Sequence, residues 1–386
     1  MKRYDFIIAG GGMAGLSLAY YLSKSQLRDR SILIIDREPK NRNDRTWCYW
    51  EQGVGPFEPI VFRQWSTVEF FGTTYSGPLN IGDYRYKMLR GIDFYQYIKA
   101  QLAAIPTIEI KQANIKRIKD TPQGGFVLTS QAPYIADYVF DSTFPLKLNL
   151  PRQHNLLQHF KGWVIRTEKP CFDVQRPRMM DFRIEQEGDC RFLYILPFDE
   201  RTALVEYTIF NETLLAEPEY ETALRRYIEQ YLDTGGYEIS ETEYGVIPMS
   251  DEPTMESPSD HIIRIGTSGG YTKASTGYTF QRTQRYLQQL VRNLEQTGKP
   301  QRPVNRLYQW FKMFQDSVLL NVLKYRRHSM ADVFTRLYAR NQPADIFRFL
   351  DEDTSVWEDL RIMSTVPLGP FTVAAADVLR KRLLRV

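Results

Sequence analysis

The residues with the clearest chemical meaning form a glycine-rich turn near the start of the chain. Gly10, Gly12 and Gly15 fit the spacing G-x-G-x-x-G, with Met13 and Ala14 between the last two. In a strand–turn–helix unit, the first glycine makes the tight turn, the second lets backbone amides reach a pyrophosphate, and the third packs the helix against the strand. The pattern therefore predicts a phosphate-binding turn.

The neighbouring elements favour a dinucleotide site. An apolar run over residues 4–9 precedes the glycines, a helical pattern over 14–23 follows them, and a second apolar run over 31–35 ends in Asp36. A carboxylate at that position can accept hydrogen bonds from the adenosine ribose, and Arg37 beside it is a further cofactor-binding candidate. We therefore predict a Rossmann-type unit, with an ordinary glycine-rich turn as the alternative.

A second glycine-rich stretch far along the chain favours FAD over NAD. Gly266, Gly269 and Gly270 follow an apolar run, and Thr276 and Gly277 lie where a helix is predicted to start. Backbone amides at a helix start would hold the flavin's pyrimidine edge or its phosphates through the helix dipole. The position of the first glycine turn at the N-terminus favours the same cofactor, and a simple connecting loop is the alternative for the second stretch.

The pattern between the two glycine-rich stretches is mostly that of strands. Residues 107–142 predict a small antiparallel meander, and four strand-like stretches between 157 and 210 predict one antiparallel sheet. Helical periods cover 92–103 and 217–232 and dominate after the second glycine-rich stretch. We therefore predict an α/β fold: a Rossmann-type FAD-binding domain with an inserted, mostly antiparallel β-sheet substrate domain and a helical C-terminal region. The predicted boundaries are 1–65, 99–150 and 255–300 for the FAD-binding domain, 66–98 and 151–254 for the substrate domain, and 301–386 for the helical region.

Several stretches of the chain resemble lycopene cyclases. Residues 43–51 read NDRTWCYWE, similar to that family's N-D-R-T-W-C-F-W-E signature, and residues 269–280 read GGYTKASTGYTF. Shorter similarities are QHFKG at 158–162, MDFR at 180–183 and Pro197-Phe198. The resemblance implies a bacterial-type, FAD-dependent lycopene β-cyclase, an intramolecular lyase of the isomerase class that acts in carotenoid biosynthesis.

The resemblance also indicates the catalytic acid. Residues 204–208 read LVEYT, similar to the family's F-L-E-E-T segment, whose first glutamate is thought to be the acid and corresponds to Glu206. The second glutamate is replaced by Tyr207, so we assign the acid role to Glu206 alone and place Tyr207 in the substrate pocket. Strand alternation puts Glu206 on one face with Thr208 and Phe210, which brings a ring near the carboxyl. A glutamate that only pairs on a strand surface is the alternative.

The implied reaction needs no net redox change. A terminal double bond of lycopene, or of another linear carotene, takes up a proton, a neighbouring double bond attacks the cation, and loss of a proton leaves a β-ionone ring. The cation requires a dry site, aromatic faces and nearby negative charge, which a reduced anionic flavin would supply. Desolvation would raise the pKa of Glu206 and keep it protonated near neutral pH. NADPH would act only as a transient reductant, because no second dinucleotide fingerprint is visible.

Further pocket residues come from the stretches that carry the resemblance. Trp47, Tyr49 and Trp50 would line the cation site, or else pack between the domains. Arg45 would meet a phosphate or ribose of FAD. Asp181 would shape the pocket through an ion pair with the arginine two residues further on, and a purely structural ion pair is the alternative.

Composition argues against several other classes of protein. With 50 Lys and Arg against 46 Asp and Glu, the net charge of +4 does not indicate nucleic acid as a partner. Three widely spaced cysteines and four histidines lack the spacing of a disulfide framework or a metal site, so we expect no metal. An FAD-dependent monooxygenase or dehydrogenase for a lipophilic substrate is the enzymatic alternative, although Gly266-Thr267 stands where such enzymes usually have Gly-Asp. A non-catalytic prenyl-lipid escort is the alternative outside enzymes.

A polyene dissolved in the bilayer requires the protein to reach a membrane surface. Residues 378–386 read VLRKRLLRV and predict an interfacial helix on anionic lipid, and residues 318–323 are a second candidate; either segment would otherwise pack on the protein. No apolar run approaches the roughly 20 residues that span a bilayer, and the first strand begins close to Met1. We therefore expect a cytoplasmic protein that is peripheral on the inner membrane face.

Overall fold

The computed structural model describes residues 1–146, 148–303 and 305–383. In chain order, its strands are β1 (Lys2–Ala9), β2 (Ile32–Asp36), β3 (Thr46–Gln52), β4 (Arg63–Trp65), β5 (Thr67–Phe71), β6 (Ser76–Asn80), β7 (Tyr84–Arg90), β8 (Ile108–Gln112), β9 (Ile115–Thr121), β10 (Gly124–Thr129), β11 (Pro133–Asp141), β12 (Asn155–Thr167), β13 (Arg178–Asp181), β14 (Cys190–Pro197), β15 (Thr202–Asn211), β16 (Tyr237–Ser250) and β17 (Ile262–Arg264). Its α-helices are α1 (Met13–Ser23), α2 (Gly91–Ala103), α3 (Glu217–Tyr231), α4 (Phe280–Thr297), α5 (Arg306–Lys324), α6 (Met330–Arg340), α7 (Pro343–Leu350), α8 (Val356–Met363) and α9 (Leu368–Leu383).

The first sheet has a parallel centre that includes the N-terminal strand. Its order is β8-β2-β1-β11-β10-β9, and β17 pairs with β11. The pairs among β8, β2, β1, β11 and β17 are parallel, and β1 and β2 are buried over most of their length. Continuous burial is typical of parallel strands that are covered on both faces. Helices α1, α2 and α4 cover one face with a shared apolar cluster, which gives the predicted Rossmann-type arrangement.

Residues 107–142 differ from the predicted antiparallel meander. Strands β9, β10 and β11 do form antiparallel pairs, but β8 pairs in parallel with β2, and β11 pairs in parallel with β1. The meander is thus confirmed for β9, β10 and β11, and the expectation was wrong for β8, because apolar alternation shows that a segment is a strand but does not show which strand it pairs with, or in which direction. Helix α2 carries the chain back to the far edge of the sheet, where β8 enters in the parallel direction.

The second sheet is mostly antiparallel, in the order β16-β12-β15-β14-β13-β5-β6, with β13 and β5 as its parallel pair. Strand β12 pairs with β15 on one side and with β16 on the other. Helix α3 packs on one face of this sheet, and the C-terminal helices pack on the other. The predicted fold class is confirmed, and the proposed domain boundaries stay a prediction.

A small third sheet, β3-β7-β4, connects the two apolar cores. It carries the NDRTWCYWE stretch. Tyr49 belongs to the core of the first sheet, and Trp50 belongs to the core of the second. The stretch therefore lies where the two larger sheets meet.

The C-terminal helices complete the core of the second sheet. Residues 318–323, one of the two predicted membrane segments, lie in α5 with Val318, Leu320 and Val322 fully buried. That expectation was wrong because these side chains fill the space between α5 and the sheet. In the other predicted segment, residues 384–386 lie outside the described residues.

Candidate functional site

The glycine-rich turn lies at the carboxyl end of β1 and opens α1. Gly10 has a φ of +100°, and a Cβ placed on it would lie 2.1 Å from the Oγ of Ser142. A Cβ on Gly15 would lie 1.9 Å from the carbonyl oxygen of Gly10, so α1 packs directly on the turn. A Cβ on Gly12 would have no heavy atom within 4 Å. The turn therefore presents unobstructed amides at the start of a helix, which is the arrangement that binds a phosphate.

Asp36 is fixed next to this turn. Its Oδ2 accepts the backbone N–H of Gly11 at 2.6 Å, and its Oδ1 accepts the backbone N–H of Glu38 at 2.8 Å. The neighbouring side chain of Arg37 is largely exposed. A cavity of about 510 Å³ lies beside the turn and the carboxyl ends of the neighbouring parallel strands. Its lining includes Gly10, Gly12, Asp36, Arg37, Lys40 and Ser142.

The second glycine-rich stretch packs against the first. Residues 266–269 form a short 3₁₀ turn after β17, and a Cβ on Gly266 would lie 2.9 Å from the Cβ of Ala14. Gly269 and Gly270 complete this turn. Thr276 and Gly277 lie just before α4, and together with Gly266 they line a second cavity, which is separate from the one around Asp36. The fold thus brings together the two glycine-rich stretches that were predicted to share a cofactor.

The second cavity, of about 450 Å³, extends from the glycine turn to the second sheet. Gly12, Lys40 and Ser142 line both cavities, so the two meet at the turn. Met13 and Ala14 line the second cavity at the turn, and seven aromatic residues line it further on. The aromatic wall residues are Trp47, Tyr86, Tyr95, Phe160, Tyr194, Tyr278 and Phe280.

Glu206 lies in the wall of this cavity, opposite a second carboxyl group. Gly162 of β12 pairs with Glu206 of β15 on one side and with Glu243 of β16 on the other. Because directly opposed residues of neighbouring strands point to the same face, the two glutamates flank a position without a side chain. The Oε1 of Glu206 accepts the hydroxyl of Thr208 at 2.9 Å, and the Oε1 of Glu243 accepts the backbone N–H of Thr46 at 2.9 Å.

The protein around this pair favours the protonated carboxyl. Desolvation and, to a smaller extent, repulsion from Glu243 raise the pKa of Glu206, the hydrogen bond from Thr208 lowers it, and the net value is about 8. Desolvation also raises the pKa of Glu243, whereas the Thr46 amide and the Arg45 charge lower it. The side chain of Glu206 keeps partial exposure because it forms part of the cavity wall. A molecule in the cavity can therefore reach a carboxyl that stays protonated at neutral pH.

The three predicted aromatic residues of β3 divide into one wall residue and two supporting residues. Trp47 lines the cavity. Tyr49 stacks behind it on Phe280, with ring centroids 4.6 Å apart, and Trp50 contacts Tyr278 edge-on at the same centroid distance. Tyr49 and Trp50 therefore hold wall residues in place.

Arg45 lies at the exposed edge of the cavity. Its Nη1 donates to the backbone carbonyls of Asp44 at 2.7 Å and of Tyr244 at 3.3 Å. This guanidinium is thus held close enough to Glu243 to act on its charge, and it lines the same cavity as the first glycine turn.

The structure places two other predicted pocket residues away from this cavity. Tyr207 points to the opposite face of β15, where its hydroxyl lies 3.3 Å from Nη1 of Arg191. Asp181 is fully buried, and its carboxylate accepts Nε of Arg183 at 2.9 Å and the hydroxyl of Tyr227 at 2.5 Å. The predicted ion pair between Asp181 and Arg183 is present, but neither residue lines the cavity. We therefore leave Tyr207 and Asp181 out of the proposed site, since strand alternation and these partners keep them from the cavity.

Glu243 is the functional candidate that sequence reasoning missed. It lies far from Glu206 along the chain, in a strand that also carries the exposed Glu238 and Glu241. No local pattern separates it from these two. Only the pairing of β12 with both β15 and β16 brings it next to Glu206.

The described ranges contain neither a cluster of metal-binding side chains nor a membrane-spanning helix. Within them, no group of three or more His, Cys, Asp or Glu side chains is arranged to hold a metal ion. None of the helices in the same ranges combines the length and apolar character that crossing a bilayer requires.

A family model described as "Lycopene cyclase protein" matches residues 5–376. The chain belongs to the lycopene cyclase family. The resemblance and the predicted enzyme class, an intramolecular lyase, are thereby confirmed. Among relatives of this family member, a lycopene beta-cyclase of Pantoea ananas is 23% identical over 292 residues and covers 72% of this chain and 71% of its own length. A lycopene beta-cyclase of Pseudescherichia vulneris is 22% identical over an alignment of 401 positions, covering 97% of each chain.

Solved structures share the fold of this lycopene cyclase family member at low identity. A geranylgeranyl bacteriochlorophyll reductase-like protein from Thermoplasma acidophilum superposes with a TM-score of 0.63 at 14% identity, covering 98% of this chain and 100% of its own. A flavoprotein/dehydrogenase from Cytophaga hutchinsonii gives a TM-score of 0.64 at 11% identity, with 99% and 100% covered. These likenesses show that the chain has a flavoprotein fold.

Proposed function

We propose that this family member is a lycopene β-cyclase that closes the ends of lycopene, or of another linear carotene, into β-ionone rings without net redox change. The products are γ- and β-carotene. The observation that carries this proposal is the half-buried pair of Glu206 and Glu243 in the wall of a cavity that has seven aromatic lining residues and begins at the dinucleotide turn. Membership of the family, and relatives named lycopene beta-cyclase, support the same reaction.

The two glycine-rich stretches fit FAD as the cofactor. The open space at Gly12, at the start of α1, suits the pyrophosphate, and Asp36 lies at the end of β2 where it would hold the adenosine ribose. Residues 266–270, Thr276 and Gly277 would flank the ring end. When bound in its reduced form, FAD would supply negative charge beside the cavity, and NADPH would serve as a transient reductant.

Glu206 is proposed as the acid that starts ring closure. Its proton goes to the terminal alkene, whose π electrons form the new C–H bond and leave a tertiary cation. A neighbouring double bond attacks this cation, and the Glu206 carboxylate takes back a proton from the ring that forms, so that substrate and product are isomers. The faces of Tyr194, Tyr278 and Trp47 stabilise the positive charge, and the ionised carboxylate lies beside it.

The substrate dissolves in lipid, which also bears on the location of the enzyme. We propose a peripheral protein on the cytoplasmic face of the inner membrane, because its cavity must receive a polyene from the bilayer. No nucleic acid and no metal ion takes part in the proposed reaction.

Expression in bacteria that accumulate lycopene tests the proposed function. We expect the red pigment to be replaced by a yellow-orange carotenoid that has the mass of lycopene and the absorption spectrum of a β-ring carotene. Unchanged lycopene would contradict the proposal. A product that has gained oxygen or lost hydrogen would instead identify a monooxygenase or a dehydrogenase.

Glu243→Gln should move the alkaline limb of the pH–rate profile to lower pH. The active form of Glu206 is protonated, so activity is present below its pKa and is lost as the pH rises through about 8. Removing the Glu243 charge removes repulsion and lowers the pKa of Glu206, while desolvation keeps it raised. Three other titratable groups lie near this carboxyl, and burial raises the pKa of each so that they stay neutral in this range; they are Cys48, Tyr194 and Tyr278.

The measurement is the initial rate of cyclisation between pH 6 and 10 with purified enzyme, reduced FAD and solubilised lycopene. Glu238→Gln is the matched control, since it removes an exposed glutamate from the same strand. A limb that stays in place, or moves to higher pH, in Glu243→Gln would exclude electrostatic coupling between the two carboxyls.

A further inference from the structure

Two helices of the C-terminal region expose large apolar side chains to solvent. In the first half of α5, Leu307 is 83% exposed and Trp310 is 50% exposed, with Met313 three residues further on at 37%. In α8, Trp357 is 81% exposed and Leu360 is 45% exposed. Tryptophan is usually well buried in globular proteins, so two open indole rings in one region indicate a binding surface.

Helix α9 shows the same feature along its length. Ala374 and Val378 face the core. At 3.6 residues per turn the residues on the opposite side form one stripe, and apart from Thr372 and Arg380 the stripe is apolar or glycine. Its exposed members are Leu368, Gly369, Thr372, Val373, Ala376, Leu379, Arg380 and Leu383. The outer face of a surface helix is ordinarily polar, so the mostly apolar outer face of α9 is unusual for a helix in contact with water.

The three helices form one packed unit. The guanidinium of Arg382 in α9 lies 5.6 Å from the ring centroids of Trp310 and Phe314 in α5 and donates to Ser317 Oγ at 3.0 Å. In α8, Asp359 accepts Nζ of Lys312 at 2.6 Å. We call the exposed apolar side chains of these helices the apolar helical surface; it consists of Leu307, Trp310, Met313, Trp357, Leu360, Leu368, Val373, Ala376, Leu379 and Leu383.

The charges around this surface favour an anionic partner. Each acidic side chain of α5, α8 and α9 has a basic partner, in the pairs Asp316–Lys273, Glu358–Arg348, Asp359–Lys312 and Asp377–Lys381. Arg306, Arg361 and Arg380 are exposed next to the apolar residues; Arg361 pairs with Asp345 of α7, and Arg380 shares Asp377 with Lys381, so basic side chains outnumber acidic ones on the three helices. A two-fold dimer through this surface would bring two patches of net positive charge together, whereas an anionic bilayer would attract the arginines.

We propose that the apolar helical surface docks the enzyme on an anionic phospholipid bilayer, with Trp310 and Trp357 at the level of the headgroups. Tryptophan and arginine are enriched at this depth, and leucines beside them enter the acyl region. Docking on a bilayer rests on the proposed function in one respect, because a carotene substrate would come from the same bilayer. Membrane contact is thereby assigned to the first half of α5 and to α8, in addition to α9.

Vesicle binding tests this assignment directly. We expect the purified protein to float with vesicles of phosphatidylglycerol and phosphatidylcholine, and to bind pure phosphatidylcholine vesicles at least about tenfold more weakly. Brominated lipids should quench part of the tryptophan fluorescence, because Trp310 and Trp357 are exposed while Trp50, Trp65 and Trp163 are buried.

The double variant Trp310→Ser/Trp357→Ser should lose vesicle affinity by about tenfold or more and should lose the quenching by brominated lipid. Val54→Ser is the matched control, because Val54 is 86% exposed but lies in the loop after β3. The double variant should still bind FAD and cyclise lycopene in detergent. That readout separates a failure of docking from a failure of the proposed function.

Wild-type binding in the double variant would overturn the assignment. The assignment would also be overturned if the wild type were a dimer that fails to bind vesicles, and if the double variant were a monomer. If the wild type binds anionic vesicles through these residues but leaves lycopene unchanged, the docking surface stands and the proposed function fails.

Discussion

Glu206→Gln should abolish ring closure, with a fall in the cyclisation rate of about a thousandfold, while FAD stays bound. Glutamine has the size of the protonated acid but holds no proton that it can give to an alkene. The variant keeps the shape of the cavity wall, and the amide oxygen of glutamine can still accept the hydrogen bond from the Thr208 hydroxyl. The measurement is the conversion of solubilised lycopene, followed by absorption and mass, together with the FAD absorbance of the purified variant.

Stability provides an internal control for this variant. The folded pKa of Glu206 is raised, so this carboxyl lowers the stability of the fold progressively as the pH rises from its ordinary pKa of 4.5 to about 8, and the full penalty remains above that. Glutamine removes this penalty, and the melting temperature of the variant should equal or exceed that of the wild type, most clearly above pH 8. A Glu206→Gln enzyme that cyclises lycopene at the wild-type rate would rule out Glu206 as the acid.

Gly12→Val should give a folded protein that has lost FAD, with affinity reduced by about a hundredfold or more. The backbone of Gly12, with φ of −79°, is open to any residue, and an added Cβ meets no protein atom within 4 Å. The valine would instead occupy the space proposed for the pyrophosphate. The variant should purify colourless, with a far-UV circular dichroism spectrum like that of the wild type, and should fail to bind added FAD in a titration.

Gly369→Ala is the matched control for Gly12→Val. A Cβ on Gly369 likewise meets no atom within 4 Å, but this glycine lies in α9, far along the chain from the turn. The control should purify yellow with full FAD. A Gly12→Val protein that retains FAD would show that the cofactor does not lie against this turn.

Several site features could be predicted from the sequence because they depend on residues close together in the chain. The glycine turn combines a strand, a sharp bend and a helix within a few residues, and its conformation follows from the lack of a Cβ at Gly10 and Gly15. Alternation along β15 likewise put Glu206 on the face with Phe210, opposite Tyr207. Strand geometry alone places Tyr207 on the face opposite Glu206, although Tyr207 was expected in the pocket.

Other features depend on which distant segments pack together. Alternation showed that residues 108–112 form a strand but did not show that β8 pairs in parallel with β2. The apolar residues 318–323 suited a membrane as well as a core, and only the space beside the second sheet decided for the core.

By itself, the sequence determined the dinucleotide turn, the family and the acid candidate, because short-range geometry and a chemical signature are written in consecutive residues. Only the tertiary structure decided that Glu243 faces Glu206 across Gly162 and that the exposed side of α9 is apolar. The physical reason is that strand register and burial arise from contacts between segments far apart in the chain, which no local pattern specifies.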